Sequence, residues 1–83
     1  MPLFMDVHEA IDGLTAADLA EAHKRDLEVQ AAHGVRYLRY WFDEASGTVF
    51  CLVEAPDAAA AEAVHREAHG LVADRVTPVE EGD

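Results

Sequence analysis

The sequence has one cysteine, few basic residues and no long apolar run. Cys51 is the only cysteine, so the chain can form no intramolecular disulfide, which is typical of a reducing cytoplasm. Only 6 lysines and arginines stand against 17 acidic residues, for a formal net charge of −11. Because affinity for phosphate backbones and anionic lipids comes from lysine and arginine, we expect no nucleic-acid partner and no membrane partner. An acidic protein attracts cations, which favours a metal ion as partner.

The start and the length of the chain add two expectations. Asp6, His8 and Glu9 stand where a secretory signal would need a cationic start and an apolar run, and no stretch is as long as a membrane span. We therefore predict a cytoplasmic protein. Its 83 residues predict one small domain, residues 1–80, followed by an acidic tail at 81–83. A core of this size is modest, and dimerisation is one common way to stabilise it.

Hydrophobic periodicity predicts six elements in the order β-α-β-β-α-β. Thr15 with Asp18 predicts the capped start of the first helix, and Asp57 caps the alanine run of the second. Gly34 and Gly70 follow the two helices, where glycine is favoured. The predicted strands are 3–8, 35–43, 48–54 and 75–79.

This order is that of the ferredoxin-like α+β fold, in which two helices pack on one face of an antiparallel sheet. The small side chains of Cys51 and Val53 suit the helix-packed face. We expect Phe4, Asp6 and His8 to point the other way, to the open face. That face would carry too much apolar area to stay in water. We therefore predict a homodimer whose open faces pair as a dimeric α+β barrel.

Arg39 and Trp41 alternate on one face of the second predicted strand. If they point to the open face, they join Asp6, His8 and Glu54 in a lining that is both polar and aromatic. Such a lining could hold a small organic ligand. It could equally form a dimer interface, where tryptophan and arginine are enriched, and we favour the interface.

The second helix carries a stripe formed by Glu62, His65 and His69. Residues three, four and seven apart share one face of an α-helix, and the two histidines are one turn apart. Two imidazoles so placed can bind one metal ion, and neutral imidazole suits nickel, copper, zinc or iron. The alternative is that both histidines edge the interface between helix and sheet and form only local hydrogen bonds.

His8 and Asp6 could complete such a metal site. The second helix and the first strand run the same way in this topology, so their C-terminal ends meet at one end of the domain. His69 and His8 lie at those ends. We expect His8, His65 and His69 to converge, with a carboxylate and water completing a five- or six-coordinate ion.

Other polar residues have more ordinary interpretations. His23, Asp26 and Gln30 form a line on the first helix, where Asp26 could accept a hydrogen bond from the His23 ring. We expect His23 to be half-buried and not a ligand. Cys51 is expected to be a small buried hydrophobe. The sequence has no glycine-rich phosphate loop, no CxxC pair and no GxSxG elbow.

Three segments carry a resemblance to a known family: RYWFD in the second predicted strand, FCLVEAP in the third, and HREAHG in the second helix. With these, the chain from Met5 to Asp74 resembles a small bacterial ferredoxin-like family described as nickel-binding. The resemblance implies a homodimer that binds nickel(II), for sequestration or to limit nickel toxicity.

We therefore predict a metal-binding protein without catalytic residues. His65, His69 and His8 are the first-choice metal ligands, and Glu62 and Asp6 are the possible oxygen donors. Nickel(II) comes from the resemblance, because the spacing alone allows copper or zinc equally. The alternative is an enzyme, since dimeric ferredoxin-like barrels also host cofactor-free oxygenases and isomerases. A third possibility is a regulatory module with no small ligand.

Overall fold

The computed structural model describes residues 1–82 and shows a four-stranded antiparallel sheet with two α-helices on one face. The sheet has the order β2-β3-β1-β4, and the chain runs β1-α1-β2-β3-α2-β4. The predicted ferredoxin-like α+β fold is therefore confirmed. The elements are β1 Leu3–His8, α1 Ala16–Val29, β2 Arg36–Asp43, β3 Thr48–Glu54, α2 Ala58–Ala68 and β4 Arg75–Val79, with a 3₁₀ turn at Gln30–His33.

Both helices begin at the predicted caps. The Thr15 hydroxyl accepts a hydrogen bond from the Asp18 backbone N–H at 3.1 Å, and the Asp18 carboxylate accepts one from the Thr15 N–H. The Asp57 carboxylate accepts from the Ala60 N–H at 2.8 Å. Each cap of this kind stabilises a helix by about 1 kcal/mol. Gly34 ends the 3₁₀ turn in the left-handed conformation, with φ of 68°, as predicted for a residue after a helix.

The core lies between the helices and the sheet. Its most buried members are small, and they include Val49, Val53, Ala61 and Val64, each at most 1% exposed. Because the side chain of Ala61 is only a methyl group, α2 lies close to the sheet. The backbone carbonyl oxygen of Ala61 is 3.1 Å from the Tyr37 hydroxyl. This close approach brings polar side chains of α2 within reach of those of β1.

The predicted orientation of β1 is wrong. Residues directly opposite each other in an antiparallel pair point to the same face of the sheet. The register pairs Phe4 with Val53, Asp6 with Cys51, and His8 with Val49. All three β1 side chains therefore point to the helix-packed face, where they are at most 8% exposed. The error arises because both alternating sets of β1 contain apolar residues, so periodicity alone does not say which set faces the core.

The open face of the sheet is apolar at its centre. Arg39 and Trp41 of β2 lie on this face, opposite Leu52 and Phe50 of β3. Trp41 is 48% exposed and Phe50 is 38% exposed. Asp6 and His8 do not join this lining, contrary to the expectation from the sequence. Among residues 1–82, no helix is both long enough and apolar enough to span a bilayer.

Candidate metal centre

His65 lies at the centre of a buried polar cluster, between the carboxylates of Asp26 and Asp6. It projects from α2 and is only 2% exposed. Its Nδ1 lies 2.9 Å from Oδ1 of Asp26 on α1, and its Nε2 lies 3.1 Å from Oδ2 of Asp6 on β1. A carboxylate oxygen only accepts, so both ring nitrogens donate and the ring is an imidazolium. His65 thus connects both helices and the sheet.

Electrostatics agree with this protonation state. Burial by itself would lower the pKa of His65, but hydrogen bonds to Asp26 and Asp6, and the charges of both, raise it to about 9. Burial would raise the pKa of Asp6, but the hydrogen bond from His65, the neighbouring imidazole of His8 and the charge of His65 bring it well below its usual range. The pKa of Asp26 is likewise lowered, against burial, by hydrogen bonds from His65 and His69. The two buried carboxylates of Asp6 and Asp26 therefore share the imidazolium of His65 between them.

One oxygen of Asp6 has no hydrogen-bond partner. The Tyr37 hydroxyl donates to Oδ2 of Asp6 at 2.8 Å, and His65 donates to the same atom. Oδ1 is left without a hydrogen bond, and it is the one buried side-chain polar atom of this kind among residues 1–82. Nε2 of His8 lies 3.4 Å from this oxygen. An unsatisfied buried carboxylate oxygen is costly, so this atom favours a cation beside it.

Two groups of donor atoms could hold a metal ion. One consists of Asp6, His8, Cys51 and His65, and the other of Asp26, His65 and His69. Within each group the ligand atoms lie no more than 4.8 Å apart. Donors around one tetrahedral ion at bond lengths of about 2.0–2.3 Å are roughly 3–4 Å apart, so small side-chain rotations would complete either shell. The residues present fit a transition metal by donor type as well.

A small cavity adjoins these groups. Its volume is about 20 Å³, and its lining includes His8, His65, His69 and Cys51 together with the apolar side chain of Leu19. A space of this size holds roughly one water molecule or ion. Organic ligands occupy pockets of roughly 300–1,000 Å³. The cavity therefore fits an ion and does not fit an organic substrate.

The structure brings together four of the five residues predicted as ligands, His65, His8, Asp6 and His69. The His69 Nε2 lies 3.0 Å from Oδ1 of Asp26, and its Nδ1 accepts a hydrogen bond from the Leu71 N–H. The fifth predicted residue, Glu62, is half-buried on α2 and belongs to neither donor group.

Sequence reasoning did not place Asp26 in this cluster. It paired Asp26 with His23, whereas the carboxylate accepts from His65 and His69. The ring of His23 instead packs against that of Tyr40, with centroids 4.7 Å apart, and burial lowers the pKa of His23. A signal was available, because Asp26 is seven residues after Leu19 and so shares the buried face of α1.

Tyr37 and Cys51 were also not predicted as members of the site. Cys51 is 5% exposed, as expected for a core cysteine, but it lies directly opposite Asp6 and joins the first donor group. Burial, followed by the charge of Asp6, raises the pKa of the Tyr37 hydroxyl, which keeps it a neutral donor. To place either residue in the site, one must know which side chains of β1 face the helices. The sequence pattern did not show this.

The chain thus combines a ferredoxin-like α+β fold with imidazoles, carboxylates and a thiol, donor types that suit a transition-metal ion, next to an ion-sized cavity. The chain belongs to the family described as "Nickel responsive protein SCO4226-like", which matches residues 4–79. It is also similar to the crystal structure of SCO4226 from Streptomyces coelicolor A3(2), with a TM-score of 0.90 and 41% sequence identity over 98% of this chain and 99% of that chain. No curated protein matches the chain. The resemblance inferred from the three sequence motifs is confirmed.

Proposed function

We propose that this protein binds nickel(II) in its buried polar cluster and serves to sequester the ion, without catalysing a reaction. The observation that carries the proposal is the buried, unpartnered Oδ1 of Asp6 beside the imidazole of His8. The two buried carboxylates of the cluster and the ion-sized cavity beside it also support the proposal. The name of the family supports nickel as the ion.

The distances support a particular set of ligands. Oδ1 of Asp6 and an imidazole nitrogen of His8 form the core of the site, since neither is committed to another strong hydrogen bond. His65 can coordinate only after it releases a proton, because both of its nitrogens donate to carboxylates. His69 with Asp26 offers a second position on the far side of the same ring. Copper(II) would bind more tightly than nickel(II) at equal availability.

We also propose that two copies pair through their open sheet faces. The support is the exposed apolar area around Trp41, Phe50 and Leu38. The cluster lies on the opposite side of the sheet, so each subunit would hold a complete site. The lone cysteine and the charge of −11 support a cytoplasmic location without nucleic-acid or membrane partners.

Calorimetric titration of tag-free protein with Ni²⁺ tests the metal proposal. We expect His8→Ala to weaken nickel binding at least tenfold, because it removes an imidazole from the donor group around Asp6. His33→Ala is the matched control, since His33 pairs with Glu67 at 2.7 Å outside both donor groups. Equal affinity of the wild type and both variants would contradict the site, and an absence of heat in the wild type would contradict the function.

A further inference from the structure

We propose that Cys51 is a thiolate ligand of the ion bound in the first donor group, so that this site coordinates through sulfur as well as nitrogen and oxygen. The inference rests on the proposed metal-binding function and deepens it. It gives a chemical role to a cysteine that the sequence indicated to be packing only.

Cys51 is placed among the donor atoms of the first group. It lies on β3 directly opposite Asp6, so both side chains point between the sheet and the helices. Its sulfur lies within 4.8 Å of ligand atoms of Asp6, His8 and His65. It also lines the cavity of about 20 Å³ next to these groups.

Asp6, opposite Cys51, has an unmet need for a cation. This residue is fully buried, and its Oδ1 has no hydrogen-bond partner although a thiol and an imidazole stand beside it. The thiol is a weak donor and does not satisfy the oxygen. A divalent cation among the three groups satisfies the oxygen and the sulfur together.

The chemistry of the thiol is consistent with this arrangement. Burial, and then the charge of Asp6, raise the pKa of Cys51, so the thiol is neutral in the metal-free protein. A coordinated thiol is deprotonated outright, because the metal charge replaces the proton, which passes to water. Thiolate and imidazole donors together suit nickel, zinc or copper and do not suit magnesium or calcium, which prefer oxygen.

Cobalt(II) is the probe for the experiment, because a bond between thiolate and Co²⁺ gives an intense near-ultraviolet charge-transfer band. Tag-free protein is titrated with Co²⁺ and its absorption recorded for the wild type and for Cys51→Ser. Since the chain has a single cysteine, a thiolate band can come only from Cys51. We expect a band that saturates at one ion per chain, loss of the band in Cys51→Ser, and at least a tenfold loss of Co²⁺ affinity.

The outcomes separate this inference from the function on which it rests. Co²⁺ or Ni²⁺ binding without a thiolate band, with equal affinity in Cys51→Ser, would overturn the role of Cys51 and leave metal binding intact. An absence of binding by either ion would overturn both. Because the wild-type band needs no substitution, the test holds even if Cys51→Ser folds poorly. Cys51→Ala, which also lacks a sulfur donor, provides a second variant.

Discussion

His65 on the second helix donates a hydrogen bond to Asp26 on the first, across 39 positions of the sequence and at 2.9 Å. The same ring donates to Asp6 of β1 at 3.1 Å. These are charge-assisted bonds inside the core, where they are stronger than at the surface. The residues of the candidate metal centre therefore also hold the helices to the sheet, so folding and the proposed metal binding depend on the same side chains.

Removal of His65 should destabilise the metal-free protein strongly. His65→Ala leaves the carboxylates of Asp6 and Asp26 buried without their shared cation, and breaking a buried ion pair in this way costs about 3–5 kcal/mol. The free energy of unfolding is measured with urea. His33→Ala is the control, since its partner Glu67 is 56% exposed and such surface pairs contribute about 0–1 kcal/mol. Similar losses in the two variants would show that the cluster does not stabilise the fold.

The stability of the metal-free protein should fall at alkaline pH because of His65. Its pKa is about 9 in the folded state, above the ordinary 6.5. The contribution is therefore complete below pH 6.5, decreases as the pH rises, and is lost above about 9. It amounts to on the order of 3 kcal/mol. Urea unfolding at intervals across this range measures it, and His65→Gln should decline less. A wild-type profile that stays flat from pH 6.5 to 9 would contradict the imidazolium assignment.

At acidic pH, protonation of Asp6 and Asp26 should destabilise the folded protein. Asp6 and Asp26 have pKa values lowered from the ordinary 3.8, so their contribution is complete above that value and is lost as the pH falls through their folded-state values. We expect thermal unfolding temperatures to drop steeply below about pH 4. Asp26→Asn, which cannot ionise at this position, should be less stable at neutral pH and show a shallower acid limb. An identical acid limb in the variant would rule out Asp26 as a contributor.

Much of the architecture could be predicted from the sequence. The order of elements and the helix starts depend on local signals: a side-chain cap at Thr15, another at Asp57, and glycines at Gly34 and Gly70. Such signals act within a few residues, so they can be read without knowing the fold. The convergence of the ends of β1 and α2 followed from topology alone.

Local signals do not show which side chains of β1 face the core, nor which residue pairs with Asp26. Leu3, Met5 and Val7 form an apolar set as convincing as any core set, and only the pairing with β3 shows that Asp6 and His8 point inward. An amphipathic pattern usually assigns charged residues to solvent. Burial of an aspartate is favourable only when a distant residue supplies a counter-charge, and that information is tertiary.

Tyr37→Phe tests how much the hydroxyl of Tyr37 stabilises the buried carboxylate of Asp6. The variant keeps the ring but removes the donor to Oδ2, so one hydrogen bond to a buried carboxylate is lost at a cost of about 1–3 kcal/mol. Urea unfolding measures the loss. Tyr40→Phe is the matched control, because the ring of Tyr40 packs on His23 and its hydroxyl has no hydrogen bond to Asp6. If both variants lose the same stability, the hydroxyl of Tyr37 has no special role.

Substitution of Trp41 tests the proposed dimer. Trp41→Glu places a charge at the centre of the open face, and charged residues are depleted at interface cores. We expect light scattering at micromolar concentration to give a dimer mass for the wild type and a monomer mass for the variant. Leu27→Glu is the control, since Leu27 is exposed on α1, in the helix layer. A monomeric wild type would contradict the pairing of open faces.

Anomalous diffraction at the nickel edge, from crystals of tag-free protein grown with Ni²⁺, shows whether the ion binds in the buried cluster. We expect a nickel peak inside the protein, within bonding distance of Oδ1 of Asp6 and an imidazole nitrogen of His8. A nickel peak found only at the surface, such as beside His33 and Glu67, or no peak in the cluster at saturating Ni²⁺, would contradict the proposed site.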